Sequence, residues 1–407
     1  MISQRDRGSM MRIVFINQLH PDTGLIGSVR LSRFAEELAI RGHQILMVCE
    51  SSGAGECVEE LGRRLSSHDW TTPLIVAVGS APDRISQLRR DRLPALARRI
   101  GTLWDLVVRG GVLWRWRREI RKFHALIKEQ FAPQLCYATF GNIDTLAAAR
   151  ELAEFCNVPW VMDIKDPATS FLPRSLRPLL TGRLRGASAV TLNSDYQRDH
   201  NPGWVRSDAL TLYSGVETSQ VPLASFDPTS FNLVGSVYDE RHVATLLKGF
   251  REANSGTKRG LRLRYFGLNV DAMARVAAEL GGVDGLEVIG MVDRQLLLIS
   301  CAESAASVYI GSSATFHHKL LELAAVGRPL IVCPAESEEA RELAEMYGLT
   351  LFQANSVEDL VPCFLRATEI PTRNMLKLRT QLSWSAVSGQ LEHCFVSVLG
   401  LQNRSAK

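Results

Sequence analysis

The sequence has no apolar run as long as the roughly 18 residues that a membrane-spanning helix needs. The opening stretch MISQRDRGSMM has no apolar core of the kind that secretory signals carry, and we expect residues 1–10 to be a disordered lead-in. Repeats of 20–50 residues and low-complexity segments are also missing. The 407 residues, 46% hydrophobic and 22% charged, predict a globular, cytoplasmic protein of two or three domains.

Patterns typical of metal sites and disulfides are lacking as well. The eight cysteines are scattered without a C-x-x-C pair, and we interpret them as reduced core residues. They are Cys49, Cys57, Cys136, Cys156, Cys301, Cys333, Cys363 and Cys394. The sequence therefore predicts no metal centre and no disulfide framework.

Apolar, strand-like runs alternate with helix-like segments along the whole chain, which predicts an α/β protein with parallel sheets. The run RIVFIN from Arg12 is followed by a loop, a helix predicted from about Ser28 to Arg41, and a second strand. This opening is Rossmann-like, but its loop lacks the G-x-G-x-x-G spacing, so dinucleotide binding is not supported. A Pro-containing linker at about 222–230 precedes a second set of the same units.

The most informative segment is VYIGSSATFHHKLLELAAVGRP, from Val308 to Pro329. It predicts a strand end, a small polar loop and a helix from Phe316 to Ala325. Free backbone N–H groups and a helix N-terminus form a potential anion site there. Lys319 and Glu322, one turn apart, offer a cation for phosphate and a carboxylate for sugar hydroxyls. An ordinary β-α-β unit with a solvated Lys/Glu pair has the same spacing. The spacing alone therefore does not distinguish an anion site from a purely structural unit.

The stretch KLLELAAVGRPLIV resembles the donor-site segment of retaining glycosyltransferases of the GT-B architecture, in the large family numbered 4. In that family a Lys-x-x-Glu helix followed by a Gly-Arg/Lys-Pro turn holds the nucleotide of a sugar donor. Many members carry two glutamates eight positions apart. Glu322 matches the second of them, and Ala314 stands at the position of the first.

Two further segments of the first half fit the resemblance. Arg41-Gly42-His43 matches the family's residues before the second strand, where the preceding loop glycines approach the donor phosphate and the acceptor; Gly24 and Gly27 are the candidates. PWVMDIKDP resembles the family's Pro-x-x-x-Asp-x-Arg-Asp-Pro segment and suggests Asp166 for the cleft. A helix cap or an ion pair with Lys165 is the alternative for Asp166.

The second half begins with a similar match. Gly235 stands at the family's turn glycine, and Arg241 stands six residues later, where relatives carry Lys or Arg. A guanidinium suits the oxygens of a diphosphate. A solvated arginine at the start of a helix is the alternative.

The resemblance implies a GT-B fold, with two Rossmann-like domains whose parallel sheets face each other across a cleft. We expect an acceptor domain at 11–222, a donor domain at 231–371 and, at 372–407, a helical tail that returns to the first domain. The expected catalytic residues are Arg241, Lys319 and Asp166. The expected donor-binding residues are Glu322, Gly27, Ser313, Thr315, His317 and Gly235.

The implied activity is a retaining, hexosyltransferase-type transfer from a nucleotide-diphosphate sugar to a saccharide or lipid-linked acceptor, as in polysaccharide biosynthesis. No Asp-x-Asp motif occurs, which fits GT-B enzymes that work without a metal or cofactor. A GT-B epimerase or phosphorylase and a non-catalytic GT-B subunit remain alternatives.

A basic segment at 84–128 stands apart from this pattern. It holds 13 Lys or Arg against three acidic residues, a net charge of +10 on a chain of +4, with Trp104, Trp114 and Trp116 among the arginines. A solvated helical hairpin and a surface that docks on an anionic membrane both fit the composition. The second reading would place the protein at the inner face of the membrane. We do not expect nucleic-acid binding, because no module signature accompanies the segment.

Overall fold

The computed structural model divides the chain into two compact units, each built on its own parallel sheet. Unit 1 comprises Met1–Ser214 and Trp384–Lys407, and unit 2 comprises Gly215–Ser383. The structure describes residues 10–23, 26–51, 53–79, 95–166, 176–201, 203, 205–217, 226–237, 239–257, 259–312 and 316–405. The predicted lead-in up to residue 9 and the first part of the predicted linker, 222–225, lie outside these ranges.

Unit 1 contains a sheet of seven parallel strands in the order β3-β2-β1-β4-β5-β6-β7. The strands are β1 Arg12–Ile16, β2 Gln44–Glu50, β3 Leu74–Val78, β4 Leu135–Thr139, β5 Trp160–Ile164, β6 Ala189–Leu192 and β7 Leu210–Thr211. The helices are α1 Ile26–Ile40, α2 Val58–Ser67, α3 Ala95–Trp104, α4 Trp114–Arg121, α5 Ile143–Cys156, α6 Arg177–Arg183, α7 Tyr196–His200 and α15 Trp384–Ser405.

Unit 2 contains a sheet of six parallel strands in the order β10-β9-β8-β11-β12-β13. The strands are β8 Asp227–Val234, β9 Arg262–Phe266, β10 Leu286–Val288, β11 Ser304–Tyr309, β12 Leu330–Val332 and β13 Leu351–Gln353. The helices are α8 Glu240–Ser255, α9 Val270–Glu279, α10 Arg294–Glu303, α11 Lys319–Ala324, α12 Glu338–Tyr347, α13 Val357–Ala367 and α14 Leu376–Gln381.

Both strand orders are those of a Rossmann sheet, since the first strand of each unit lies in the middle and the order reverses beside it. Helices cover both faces of such a sheet, which is why its central strands are apolar on both sides. All five residues of β4 and of β5 are buried. The predicted α/β class with two Rossmann-like parallel sheets is confirmed.

The first helix follows the pattern that predicted it. Leu31, Phe34, Ala35 and Leu38 form its buried face, each fully inaccessible to solvent. Gly42, two residues after the end of the helix, has φ of +92°, a left-handed conformation that glycine adopts without a steric penalty.

Two predicted helices have different bounds in the structure. The helix predicted from Phe316 to Ala325 begins only at Lys319, because the preceding residues form a tighter turn: the Leu320 N–H donates to the His317 carbonyl at 3.0 Å. The predicted C-terminal helix is two helices, α14 and α15, which are interrupted at Leu382–Ser383.

The described part of the basic segment is helical, with a π-helical turn at Asp105–Arg109 after α3 and another at Ile127–Phe131. Trp116 is buried in the core of unit 1, and Arg117 is buried beside Asp144. These two residues are therefore structural, and they belong neither to a solvated surface nor to a membrane-docking one, the two alternatives that the sequence left open for the segment. Residues 84–94 lie outside the described part of the chain. Among the helices that the structure describes, none combines the length and apolar character needed to span a bilayer.

The cysteines are all free, and Cys49, Cys136, Cys301, Cys333 and Cys363 are buried, as predicted for the core. Cys57 is exposed and departs from that expectation.

Candidate functional site

The reversal of strand order in unit 2 lies between β8 and β11, which pair in parallel with Leu233 opposite Val308. Parallel strands end at the same edge, so the residues after β8 and those after β11 come together there. Ligands of open α/β sheets bind outside the carboxyl ends of the strands at this reversal. Gly235 follows β8, and Gly311 and Ser312 follow β11, at the place where the sequence predicted donor binding.

Gly235 and Lys319 are in direct contact at this edge. Gly235 has φ of +121°, and a Cβ atom built on it would overlap the amine of Lys319. The lysine side chain therefore lies across the backbone of the turn after β8, where only glycine leaves room. Burial lowers the pKa of Lys319, and the nearby carboxylates Glu322 and Glu336 oppose that shift.

Glu322, one turn after Lys319, accepts a hydrogen bond at Oε1 from the Nε of Arg294 at 2.7 Å. Arg294 is the first residue of α10, and its Nη1 also pairs with Glu217 at 3.2 Å. The guanidinium thus fixes the orientation of the Glu322 carboxylate. Arg294 was not among the residues predicted from the sequence, because no local motif marks the segment after β10 as a neighbour of α11. A charged residue at the start of the helix that follows a strand, here directly after the capping Asp293, is the signal that could have found it.

His317 is held from a different direction. Its Nδ1 lies 2.7 Å from Oε1 of Glu336, whose side chain is fully buried. The same carboxylate lies near the hydroxyl of Tyr309, the last residue of β11, and burial together with Glu336 raises the pKa of that hydroxyl. Glu336 therefore links the end of β11 to the residue before α11. Glu336 was not predicted from the sequence either, since it follows a different strand, β12, and no local spacing relates it to His317.

Arg241 lies at the start of α8 with a side chain that is 88% exposed. Its Nη2 donates to Asp239 at 2.6 Å, and Asp239 also accepts the backbone N–H of Arg241 at 2.9 Å as the helix cap. These hydrogen bonds lower the pKa of Asp239 to about 2. The observed contacts of Arg241 are those of a solvated arginine at a helix start, and its contact with a diphosphate stays a prediction.

The predicted site residues of unit 1 lie where β1 and β5 end. The carbonyl of Gly27 accepts a hydrogen bond from Asn17 at 3.1 Å, and a Cβ atom on Gly27 would lie 3.8 Å from the amine of Lys165. Lys165 forms an ion pair with Asp166 at 2.9 Å, which is one of the two readings that the sequence left open. Gly24, Ser313, Ala314 and Thr315 lie outside the described residues.

A buried ion pair supports this part of unit 1. Arg30, on α1, donates to both oxygens of Asp163, on β5, at 3.0 and 2.8 Å, and both side chains are fully buried. Thr139 and Thr191 donate to the same carboxylate from the neighbouring strands β4 and β6. The network fixes α1 against the ends of three strands. The sequence predicted Asp163 at the end of a strand. It did not predict the partner, Arg30, which lies 133 residues away along the chain.

Within the described ranges, no group of three or more His, Cys, Asp or Glu side chains is arranged to hold a metal ion. No protein-family model matches the sequence. A search of curated proteins likewise found no significant match.

Solved structures do match over nearly the whole chain. HepE from Anabaena, in complex with UDP and glucose, is 15% identical with a TM-score of 0.64, over 95% of this chain and 100% of that one. Sucrose-phosphate synthase from Thermosynechococcus elongatus is 13% identical with a TM-score of 0.66, over 96% and 99%. The fold is GT-B.

A third structure with this GT-B fold is a putative UDP-N-acetylglucosamine 2-epimerase from Listeria monocytogenes. It is 13% identical with a TM-score of 0.53, over 94% of this chain and 95% of that one. At such identities the likeness establishes the fold alone. The chemistry of the site must therefore be argued from the residues of this chain.

Proposed function

We propose that this protein is a glycosyltransferase that uses a nucleotide-diphosphate sugar as its donor. The observation that carries the proposal is the contact between Lys319 and Gly235, with Glu322 one helical turn further on, at the strand-order reversal of unit 2. A cation and a carboxylate at this edge match the two parts of a nucleotide, its diphosphate and its ribose. The likeness to HepE, which was solved with UDP and glucose, supports the same reading.

In the proposed reaction Lys319 and Arg241 stabilise the negative charge that develops on the departing diphosphate. Preorganised charges of this kind are usually the largest single contribution to catalysis. Lys319 is held in place by its packing against Gly235, and burial strengthens its interaction with an anion because less water screens it. Arg241 would exchange its contact with Asp239 for the phosphate. His317 would line the donor site, held by Glu336.

We assign the ribose hydroxyls to Glu322. Arg294 engages Oε1 of this carboxylate, so its plane is fixed before the nucleotide arrives, and Oε2 is the oxygen that we assign to the sugar. A carboxylate that is already oriented loses little side-chain entropy when it binds. The resemblance of residues 319–329 to family 4 supports retention of the anomeric configuration.

The acceptor side of the proposal belongs to unit 1. Lys165 and Asp166 form an ion pair at the end of its sheet, beside the donor-binding candidate Gly27, and Asp166 is the carboxylate that we assign to the reacting saccharide. We propose that the acceptor is a saccharide or a lipid-linked saccharide, that the reaction needs no metal or cofactor, and that it belongs to polysaccharide biosynthesis.

An epimerase that acts on a nucleotide sugar is the second candidate, supported by the likeness to the Listeria protein. The two activities differ in their need for an acceptor. An epimerase converts the nucleotide sugar alone, whereas a transferase releases the nucleotide diphosphate and forms a new glycosidic bond only with an acceptor. A non-catalytic GT-B subunit, suggested by Ala314 in place of the first family glutamate, would do neither.

The test begins with thermal unfolding in the presence of UDP, ADP, GDP and dTDP and of their glucose conjugates. A ligand at 100 times its dissociation constant stabilises the folded state by about 2.7 kcal/mol. The preferred sugar nucleotide is then incubated with and without saccharide acceptors, and the product anomer is identified by NMR. Lys319→Ala should lower turnover about 10²–10³-fold. Absence of stabilisation by any nucleotide would contradict the proposal.

A further inference from the structure

A stripe of exposed apolar side chains follows one face of α3 and the π-helical turn after it. The members are spaced three or four residues apart, which places them on one side of a helix. They are Ile100, Leu103, Trp104, Val107 and Val108, with exposed fractions of 60%, 45%, 58%, 39% and 56%. We refer to these five residues as the apolar stripe. Single exposed apolar residues are ordinary, but five on one helix face form a contiguous patch that fits an interaction site.

The opposite face explains why the stripe points outward. Leu106 is 5% exposed and belongs to the core of unit 1, and Asp105 beside it is buried as well. Asp105 forms an ion pair with Arg109 at 2.9 Å, and Gly110 ends the turn in the left-handed conformation with φ of +75°. The orientation of this element is therefore fixed by the core contact and by its own cap, with the apolar stripe on the outside.

Arg109 directly follows the stripe in the chain, and three arginines gather around the ring of Trp114 a few residues further on. The guanidinium of Arg109 lies 4.5 Å from the ring centre of Trp114, and those of Arg115 and Arg118 lie 5.4 and 5.9 Å from it. Arg109 is 42% exposed and Arg118 is 65% exposed, so both reach solvent. The whole segment 84–128 carries a net charge of +10. An apolar helix face bordered by solvent-exposed arginines matches the layered chemistry of an anionic lipid surface.

We propose that the apolar stripe docks on an anionic membrane leaflet, with Trp104 at the level of the headgroups and Arg109, Arg115 and Arg118 on lipid phosphates. Tryptophan favours this interface because its ring is apolar and its N–H is polar. A second copy of the chain is a poor occupant, because a two-fold pairing through the stripe would bring together two copies of residues 95–128, in which nine Lys or Arg stand against two acidic residues. This inference does not depend on the proposed enzymatic activity.

The structure also selects which arginines act on the membrane. Arg117 is buried beside Asp144, and Arg121 donates to both oxygens of Glu151, each at 2.9 Å. Arg117 is therefore part of the interior of unit 1, and Arg121 is engaged by Glu151. Arg118, which is 65% exposed, and Arg115, whose guanidinium lies over the same Trp114 ring, are the residues to change.

Co-sedimentation with vesicles tests the proposal on the full chain. The probes are vesicles of phosphatidylcholine with phosphatidylglycerol, and vesicles of phosphatidylcholine alone. We expect binding to the anionic vesicles at low ionic strength, and we expect it to weaken as salt rises, because charges on a surface are screened within about 10 Å at 0.1 M salt. Phosphatidylcholine alone should bind the chain much more weakly.

Two double variants separate the apolar contribution from the electrostatic one. Trp104→Ser with Val108→Ser should reduce vesicle binding about tenfold or more at every salt concentration. The matched control is Met346→Ser with Leu376→Ser, two apolar residues of unit 2 that are 56% and 63% exposed, which should bind as the unchanged chain does. Ile100→Ser provides a second, single change on the stripe in case the double variant is unstable.

Arg115→Ser with Arg118→Ser should reduce binding about fivefold for each arginine at low salt and have little effect at high salt. Its control is Arg275→Ser with Arg341→Ser, whose side chains are 57% and 55% exposed. Failure of the unchanged chain to bind anionic vesicles at low salt overturns the proposal. The proposal is also overturned if the unchanged chain self-associates in light scattering and a change of Trp104 abolishes that self-association. The stripe would then join two copies of the chain.

Discussion

The amine of Lys319 lies against the backbone of Gly235, so that a residue after β11 and a residue after β8 share one small volume at the edge of the unit 2 sheet. Neither segment has this property alone. The contact arises because β8 and β11 are parallel neighbours that end at the same edge. It gives a lysine a fixed position and a partly dehydrated environment, both of which strengthen its interaction with an anion.

The first prediction concerns this contact. Gly235→Ala should weaken nucleotide binding, because the new methyl group would displace the Lys319 amine, in addition to the strain of a side chain at φ of +121°. Gly281→Ala is the control, since Gly281 has φ of +78° with nothing near its Cβ position. A side chain in such a positive-φ conformation costs about 1–3 kcal/mol at either position. Thermal unfolding reports that shared cost, and nucleotide titration reports the difference.

Equal nucleotide affinity in the two glycine variants would contradict this prediction. It would mean that the position of the Lys319 amine is unimportant for the ligand.

The second prediction concerns Glu322. Glu322→Gln should weaken binding of the nucleotide sugar while the protein stays folded, because this partly exposed carboxylate contributes little to the core. Glu217→Gln should have a smaller effect, since it changes the other ion-pair partner of Arg294 and not the carboxylate that we assign to the ribose. Binding is measured by calorimetry with a nucleoside and with its diphosphate. A role at the ribose predicts that both ligands lose affinity. A loss confined to the diphosphate would exclude that role.

The third prediction concerns Arg241. Arg241→Ala should lower turnover about 10²–10³-fold if its guanidinium stabilises the leaving diphosphate. Arg275→Ala is the control, because Arg275 is an exposed arginine in an ion pair, with Glu240. Steady-state kinetics give kcat and KM for both variants. Unchanged turnover in the Arg241 variant would contradict this role. Arg241 would then be a solvated residue at a helix start, as its observed contact with Asp239 indicates.

The fourth prediction concerns pH and stability. Burial raises the pKa of Asp144 from 3.8 to about 6, although the nearby Arg117 opposes the shift. Between these two values the folded state holds a proton that the unfolded chain has released. The contribution to stability is therefore complete below pH 3.8 and is lost as the pH rises through about 6. Its size is on the order of 3 kcal/mol, from about 1.4 kcal/mol for each pKa unit.

Asp144→Asn should flatten the dependence of unfolding free energy on pH between about 4 and 6, as measured by urea unfolding at a series of pH values. The amide oxygen can still accept the hydrogen bond that the Leu113 N–H donates to the carboxylate. Asp208→Asn, at a position that is 65% exposed, serves as the control. A slope that is unchanged in the Asp144→Asn variant would show that another group titrates in this range.

The local patterns of the sequence predicted much of the fold. Apolar runs such as RIVFIN and the helix face of Leu31, Phe34 and Leu38 predicted buried strands and an amphipathic helix, because burial of one face depends on spacing within a few residues. The Lys-x-x-Glu spacing placed Lys319 and Glu322 on one helix for the same reason. Local spacing did less well at helix ends, since the start of α11 depends on a turn at His317 that tertiary contacts hold.

By itself the sequence determined the alternation of strands and helices, the two sets of α/β units and the residue types available for a phosphate and a sugar. Only the tertiary structure decided which of these residues meet. It brought Lys319 onto Gly235 and Arg294 onto Glu322, it paired Arg30 with Asp163, and it buried Trp116 while leaving Trp104 at the surface. The physical reason is that such contacts depend on the order in which strands join a sheet and on which helix face the core covers. Both are properties of the whole unit, and the spacing of residues within a short segment does not determine them.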